Sequence, residues 1–469
     1  MKRVEKYGEE EQKKAQEERY RYLTQTPVSR LIPGLAVPTI ISMLVTSFYN
    51  MADTFFVGKI STQATAAVGI VFSVMSLIQA LGFFCGQGSG SYLSRQLGAG
   101  NYREASRIAS TGFALAFILG GIVTVLGLIF LRPLSILLGA TPTILTDTQD
   151  YLRIILIGAP IMCSQLVINN QLRFQGAAAY AMVGLVTGAL VNIILDPVLI
   201  FGLGMGVSGA ALATVISQCI SFVILFLGSR RGANIKLHIA NVSFRLHFMK
   251  EIINGGTPSL CRQGLSSIST ILLNTAAGAC GGDAAIAGMS VVTRVMMFAN
   301  SALIGFGQGY QPVCAFNYGA SLYKRVRDGF WFCVKWGTVF LLVMAVLAFS
   351  FAPQIIAFFR QDPDVIAVGT VALRFQACVF PVNAFIVMAN MMLQSMGRGV
   401  KASIVAASRS GIFFIPFILI LPQIFGLTGV EVTQTCADIC TVLVAVPLVF
   451  SVMRQMKEME KAGGEETQA

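Results

Sequence analysis

The sequence predicts an all-α polytopic membrane protein, with twelve transmembrane helices in two pseudo-symmetric six-helix lobes. Three observations carry that prediction. Apolar residues make up 55% of the chain against 12% charged, with a mean hydropathy of +0.71. The apolar residues fall into twelve spans, and the first six align with the last six at one fixed offset. A chain this apolar would not remain dissolved in water. The net charge of +12 does not indicate nucleic acid, because long apolar spans interrupt the basic residues and no soluble basic face forms.

Residues 1–30 are dense in Lys, Arg, Glu and Gln and read as a cytosolic tail, either an interfacial helix or a partly disordered segment. Apolar spans follow at about 31–57, 64–85, 108–130, 146–172, 178–201 and 208–229, forming a first lobe over 31–229. Each exceeds or approaches the ~20 residues that a helix needs to cross a bilayer. A basic cytosolic connector occupies 230–250. Six more spans, at about 251–279, 284–305, 329–352, 365–395, 401–424 and 428–453, form a second lobe over 251–455, and 456–469 is a cytosolic tail.

Loop charge sets the orientation. The even-numbered connections carry Arg95, Arg103, Arg107, Arg173, Arg230, Arg231, Lys236, Arg245, Lys250, Lys324, Arg325, Arg327, Arg398 and Lys401, whereas the odd-numbered ones collect Asp147, Asp283, Asp362 and Asp364. Positive charge stays on the cytoplasmic side, so both termini are expected inside.

A shift of 221 residues without a gap brings Gly86-Gln87-Gly88 onto Gly307-Gln308-Gly309, Pro160 onto Pro381, Asn169 onto Asn390 and Gly176 onto Gly397. This is a duplication. An even number of spans per repeat keeps the two halves in the same orientation, with their pseudo-two-fold axis along the membrane normal and a cavity between them.

Between Phe174 and Ser229 the only formal charge is Asp196, and between Leu31 and Gly58 it is Asp53. A carboxylate at membrane depth costs about 2.5–3.5 kcal/mol on insertion scales, which makes each a functional candidate. Asn192 and Asp196 are four apart and share a helix face, where an amide and a carboxyl can ligate a small cation or hold a proton. Both histidines, His238 and His247, lie in the basic connector region, and Cys436 and Cys440 have no His or carboxylate cluster beside them. No catalytic or metal constellation is therefore expected, and neither is a cofactor. Gly86-Gln87-Gly88-Ser89-Gly90 has no preceding strand and no following Gly-Lys-Ser/Thr, so it is read as a helix-packing segment rather than a phosphate loop. Without a nucleotide site, the energy source is an ion gradient.

With these pieces in place the chain resembles the multidrug and toxic compound extrusion (MATE) family, in its MepA-like bacterial branch. The resemblance spans about residues 31–455 and rests on Asp53-Thr54-Phe55-Phe56-Val57-Gly58, on the Gly98-Ala99-Gly100 turn with Tyr102, and on Asn192 to Pro197. It implies an antiporter, not an enzyme, that exports organic and mostly cationic drugs in exchange for H+ or Na+. It implies that Asp53, Asn192, Asp196 and Thr214 form the proton or sodium site. It also implies that Tyr49 and Asn169 face the drug pocket and that Pro38 lets the first span bend. A monomer in a bacterial plasma membrane is expected.

Some sodium-coupled members of that family use carboxylates on the seventh and tenth spans, and none is read on those spans here. The second lobe offers Arg262, Arg294, Arg374 and Arg409 instead, and Phe413 and Phe417 stand opposite Asn192 and Asp196. Coupling is thus expected in the first lobe alone. The alternatives are a lipid-linked precursor flippase of the same superfamily, which needs a strongly cationic cavity, and a non-transporting receptor or channel. Met and Phe residues such as Met75, Phe83, Met296 and Met388 would supply an adaptable apolar surface for dissimilar substrates.

Overall fold

The computed structural model describes residues 2–466 and is helical nearly throughout, as the composition requires. Residues 467–469 of the expected C-terminal tail lie outside the described residues. The helices are α1 (Lys2–Gln25), α2 (Val28–Gly58), α3 (Thr62–Gly98), α4 (Tyr102–Ile129), α5 (Leu131–Leu137), α6 (Leu145–Phe174), α7 (Ala178–Pro197) and α8 (Gly206–Ser229). They continue as α9 (Leu246–Gly319), α10 (Tyr323–Ser350), α11 (Ala352–Phe359), α12 (Pro363–Val379), α13 (Asn383–Ser395), α14 (Gly399–Ala407), α15 (Phe414–Phe425) and α16 (Leu427–Glu466).

Among the described residues 11 helical stretches are long and apolar enough to cross a membrane. One of them, α9, has 74 residues. At 1.5 Å per residue a straight helix of that length would run about 110 Å, several times the ~30 Å of hydrocarbon it has to cross. Gly282 resolves this by adopting φ 63° and ψ −154°, a backbone conformation open to glycine, and it divides α9 into two spans, 246–281 and 283–319. The crossing count is therefore twelve, as the sequence predicts. Local chemistry fixes several helix starts. The Ser61 hydroxyl accepts the Ala64 amide at 2.9 Å and the Asn101 side chain accepts the Glu104 amide at 3.3 Å, each capping the following helix.

The duplication is visible atom by atom. Asn169 Nδ2 donates to the Ala181 carbonyl at 3.1 Å, and its repeat mate Asn390 Nδ2 donates to the Ala402 carbonyl at 2.7 Å. The glycine that turns the chain between those partners, Gly176 in one lobe and Gly397 in the other, has φ +78° in both. The first lobe comprises α2 to α8 and the second α9 to α16.

The lobes close on each other at the end that carries the connector. There Gly98 of α3 and Gly319 of α9 meet backbone to backbone, so a Cβ on either would strike the other lobe's main chain. Arg95 pairs with Glu251 at 2.8 Å and donates to the Ser395 carbonyl at 2.9 Å, linking the first lobe to two helices of the second. The helix α1 clasps the same end. Its Arg19 donates to the Gln175 carbonyl and to Asn234 Oδ1, while the Leu23 carbonyl accepts from Asn317 of α9. Leu23 is completely buried, and the Thr26 carbonyl accepts from Arg325 at 2.6 Å. The N-terminal segment is thus helical from Lys2 to Gln25, one of the two forms expected for it, and is fastened through Arg19, Leu23 and Thr26.

The connector is likewise fastened down, with the His238 and Ser243 amides donating to Ser110 Oγ and Thr111 Oγ1 of α4. The Gly86–Gly90 segment is buried inside α3, where Gly88 lies against Gly255 of α9, which fits helix packing.

Arg95→Ala removes two charge-assisted hydrogen bonds and leaves Glu251 without its partner, so it should destabilise the purified protein by about 1.5–3 kcal/mol. A thermal unfolding midpoint equal to wild type would show that this contact does not hold the lobes together.

Candidate ion site and cavity of the first lobe

Two features of α7 set the acidic site. Glycines at 184 and 188 let α7 lie close against Leu225 and Ser221 of α8, which brings Asn192 beside Thr214. Pro197 then removes a backbone donor, and the chain continues in a wider π turn over Val198–Gly202, closed by Leu203 N donating to the Val198 carbonyl at 2.9 Å. The Asp196 carboxylate takes no part in that backbone repair. It accepts from Asn192 Nδ2 at 3.5 Å, and the same amide nitrogen lies 3.5 Å from Thr214 Oγ1.

Asn192, Asp196 and Thr214 are completely buried. From α2, Asp53 joins them, half-buried but with Oδ1 inaccessible. Asp53 Oδ1, Asn192 Oδ1 and Asp196 Oδ2 are buried acceptors without any donor among the described residues. Buried polar atoms in folded proteins nearly always have partners, so three unmatched acceptors in one cluster mark a place where a proton or small cation is accommodated. Two tyrosines complete the surroundings. Tyr49 of α2 and Tyr151 of α6 both sit within electrostatic reach of Asp53 and Asp196, and the Tyr151 hydroxyl donates to Met75 Sδ at 3.8 Å. Tyr151 is not legible in the sequence, since a lone tyrosine in an apolar span gives no signal of what it faces.

A cavity within the first lobe adjoins this cluster on the connector side. Tyr49 lines it, together with Asn169, Gln165, Gln79 and Phe83. The acidic residues lie beyond Tyr49 and do not line it. Asn169 borders the cavity with one Nδ2 hydrogen engaged by the Ala181 carbonyl, leaving its oxygen and its second amide hydrogen for a ligand. Pro38 sits mid-helix in α2, below the segment that bears Tyr49 and Asp53.

The MatE family model matches the chain twice, over residues 38–198 and 258–420, once in each lobe. The chain belongs to the MatE family. It is 27% identical to the multidrug export protein MepA of Staphylococcus haemolyticus, over 94% of this chain and 97% of that one. Two solved structures, described as MATE in the bent and in the straight conformation, superpose with TM-scores of 0.88 each. They are 26% and 27% identical, and each comparison covers 94% of this chain and 99% of the other. The chain is thus a multi-pass membrane protein of a transporter family, MepA-like in sequence.

Within this MatE protein several charged residues stand apart from their sequence-based placement. Arg173 is not a loop charge. It lies in the last turn of α6, is 4% exposed and lines the cavity, with Nη2 on Asn170 Oδ1. The seventh span is not free of carboxylates either, because Glu251 belongs to α9 and forms the ion pair with Arg95.

The second lobe also contains two buried acids on its last helix, Glu431 and Asp438. Asp438 neutralises Arg409 at 3.0 Å and accepts from Gln434 at 2.8 Å, so this pair fastens α16 to the π turn at Ser408–Ile412. Arg294 and Arg374 are exposed, and Arg262 donates to Asn390 Oδ1 at 3.3 Å. Of these four, Arg409 is paired and Arg294 and Arg374 are exposed, so they do not make the strongly cationic central cavity that a pyrophosphate headgroup would need.

The duplicated asparagines should differ in their effect. Asn390 serves both the Ala402 carbonyl and Arg262, whereas Asn169 serves one carbonyl, so Asn390→Ala should lower the melting temperature more than Asn169→Ala. The loss expected for one neutral hydrogen bond is about 1 kcal/mol. Equal losses would show that Arg262 gains nothing from Asn390.

Proposed function

We propose that this MatE protein is a secondary active antiporter that exports organic, mostly cationic, drugs in exchange for protons or sodium ions. The observation that carries the proposal is the cluster of unmatched buried oxygens of Asp53, Asn192 and Asp196, with Thr214 beside them and Tyr49 shared between cluster and cavity. Occupancy of the cluster by a cation changes what Tyr49 faces, and through Tyr49 it changes the cavity wall. A proton neutralises one carboxylate; sodium would take the carboxylate, amide and hydroxyl oxygens as ligands. Either ion lowers the cost of burying negative charge and so favours a state in which the cluster is sealed.

Pro38 lies between the connector end of α2 and the segment bearing Tyr49 and Asp53. The proline ring removes the amide that would bind the Gly34 carbonyl, which gives α2 a natural place to bend as the cluster fills. Tyr49 and the Asn169 oxygen supply polar contacts to substrate, and the Phe and Met side chains supply a deformable apolar surface. The resemblance to the export protein MepA supports transport outward. We further infer a monomer in a bacterial plasma membrane, with both termini and the connector 230–250 in the cytosol, lobes at 31–229 and 251–455, and tails at 1–30 and 456–469.

Purified protein in liposomes, given an ethidium load and separate proton and sodium gradients, should move the dye against its gradient with one of the two ions. Asp196→Asn, nearly isosteric but unable to exchange charge, should reduce coupled export to background while the protein still folds and inserts. Full retention of ethidium export by this variant, or no ion-driven export by wild type, would overturn the proposal.

A further inference from the structure

The cavity of the first lobe is bounded by one formal charge, and that charge is positive. Arg173 is 4% exposed, and its Nε and Nη1 are buried donors without an acceptor among the described residues. The guanidinium is held from behind by Asn170, whose Oδ1 also accepts from Gln87 at 3.0 Å, so its fork is positioned and not free to swing toward water. Arg262 of the second lobe is near enough to repel it. An arginine buried with two empty N–H donors beside a second arginine is costly unless an acceptor anion arrives.

The carboxylates of the ion site cannot serve. On α7, Asp196 is fifteen residues beyond Ala181, which Asn169 marks as the level of the cavity's connector end, and that spacing corresponds to about 20 Å along a helix. The other repeat supplies a control. At the position equivalent to Arg173 the second lobe has Gln394, whose Nε2 is satisfied by the Gly255 carbonyl at 2.7 Å and Ser259 Oγ at 2.8 Å. The fold therefore accommodates a neutral amide at this place, and the arginine is not a requirement of the architecture.

We propose that Arg173 is an oxyanion-recognising residue at the connector end of the cavity, so that preferred ligands carry a carboxylate or phosphate group on an apolar body. Resting on the export reading, this narrows the substrate class to drugs that carry an acidic group besides their cationic one, zwitterions above all. The guanidinium would donate one of its unpaired N–H groups, on Nη1 or Nε, to an oxygen of such a group, while Asn169, Gln165 and Gln79 offer neutral polar contacts along the wall.

The test uses the full chain in nanodiscs of phosphatidylcholine and measures binding by fluorescence anisotropy, independent of transport. The probes are rhodamine B, a carboxylate-bearing zwitterion, and its methyl ester, a cation of nearly the same shape. Wild type should bind the acid about tenfold more tightly than the ester, the effect of one charge-assisted pair. Arg173→Gln, which copies the residue type of the second repeat, should lose that preference with ester binding unchanged, and Arg173→Lys should retain part of it.

Replacing some phosphatidylcholine with phosphatidylglycerol separates the two oxyanion sources. Competition with rhodamine B in wild type but not in Arg173→Gln assigns the site to a lipid phosphate; no competition assigns it to a drug carboxylate. Equal wild-type affinity for acid and ester overturns the proposal, whether or not the variants fold, and so does an Arg173→Gln variant that weakens both alike. Either result leaves ion-driven ethidium export standing, whereas loss of that export would sink the antiport reading and not this one.

Discussion

Two carboxylates at membrane depth, Asp196 fully buried and Asp53 half-buried, with no basic partner beside them among the described residues, are the constraint on which the first lobe depends. Each costs several kcal/mol unless something neutral or cationic shares its site, and the surroundings of Asp53 and Asp196 are built from groups that can share without competing. Asn192 offers one donor to Asp196, Thr214 lies on the amide's other side, and Tyr49 and Tyr151 close the cluster. None of these is basic, so none quenches the charge. Contrast Asp438 in the second lobe, equally buried but locked to Arg409 and Gln434. One acid is left available; the other is committed to packing.

The duplication shows which parts of the fold are architecture and which are chemistry. Asn169 and Asn390 make the same bond to the carbonyl twelve residues on, and Gly176 and Gly397 turn the chain at the same dihedral angle, because both lobes need the same helix-to-helix return. At Asn192 and Asp196 the repeats part, with Phe413 and Phe417 in the second lobe packed against its core. They part again at Arg173 and Gln394. The first lobe thus has a negative end and a positive end within one bundle, and the second keeps neutral or apolar residues in the matching places. Closure of the lobes at the connector end, through Arg95, Glu251 and the clasp of α1, encloses the positive end.

Much of this is legible in the sequence, for identifiable reasons. Long apolar runs specify the helices, and lone acids within them specify Asp53 and Asp196, because hydrocarbon makes a charge conspicuous. The i, i+4 relation finds Asn192. Thr214, Tyr49, Asn169 and Pro38 come only from family resemblance, since hydroxyl, amide and proline groups are common in such spans and carry no charge signal. Arg173 reads as a loop charge because a basic residue at a span's end has the same pattern, and only tertiary packing buries it. Glu251 is hidden in the same way. Asp438 and Glu431 lie in the twelfth span, where their sequence signal is as plain as that of Asp196, but a comparison restricted to the seventh and tenth spans passes over them. The break at Gly282 falls in the connection expected between the spans 251–279 and 284–305.

If the ion site proposed in the first lobe couples transport, ion binding should order that lobe while the second moves as a rigid body. Hydrogen–deuterium exchange on the full chain in nanodiscs, with and without sodium and at two pH values, tests it most directly. Amides around Asp53, Asn192 and Thr214 should gain protection when the ion is present, and those around Phe413 and Phe417 should change little. Ion-dependent protection of equal or greater size in the second lobe, around Glu431 or Asp438 in particular, would contradict the account and move the coupling site there.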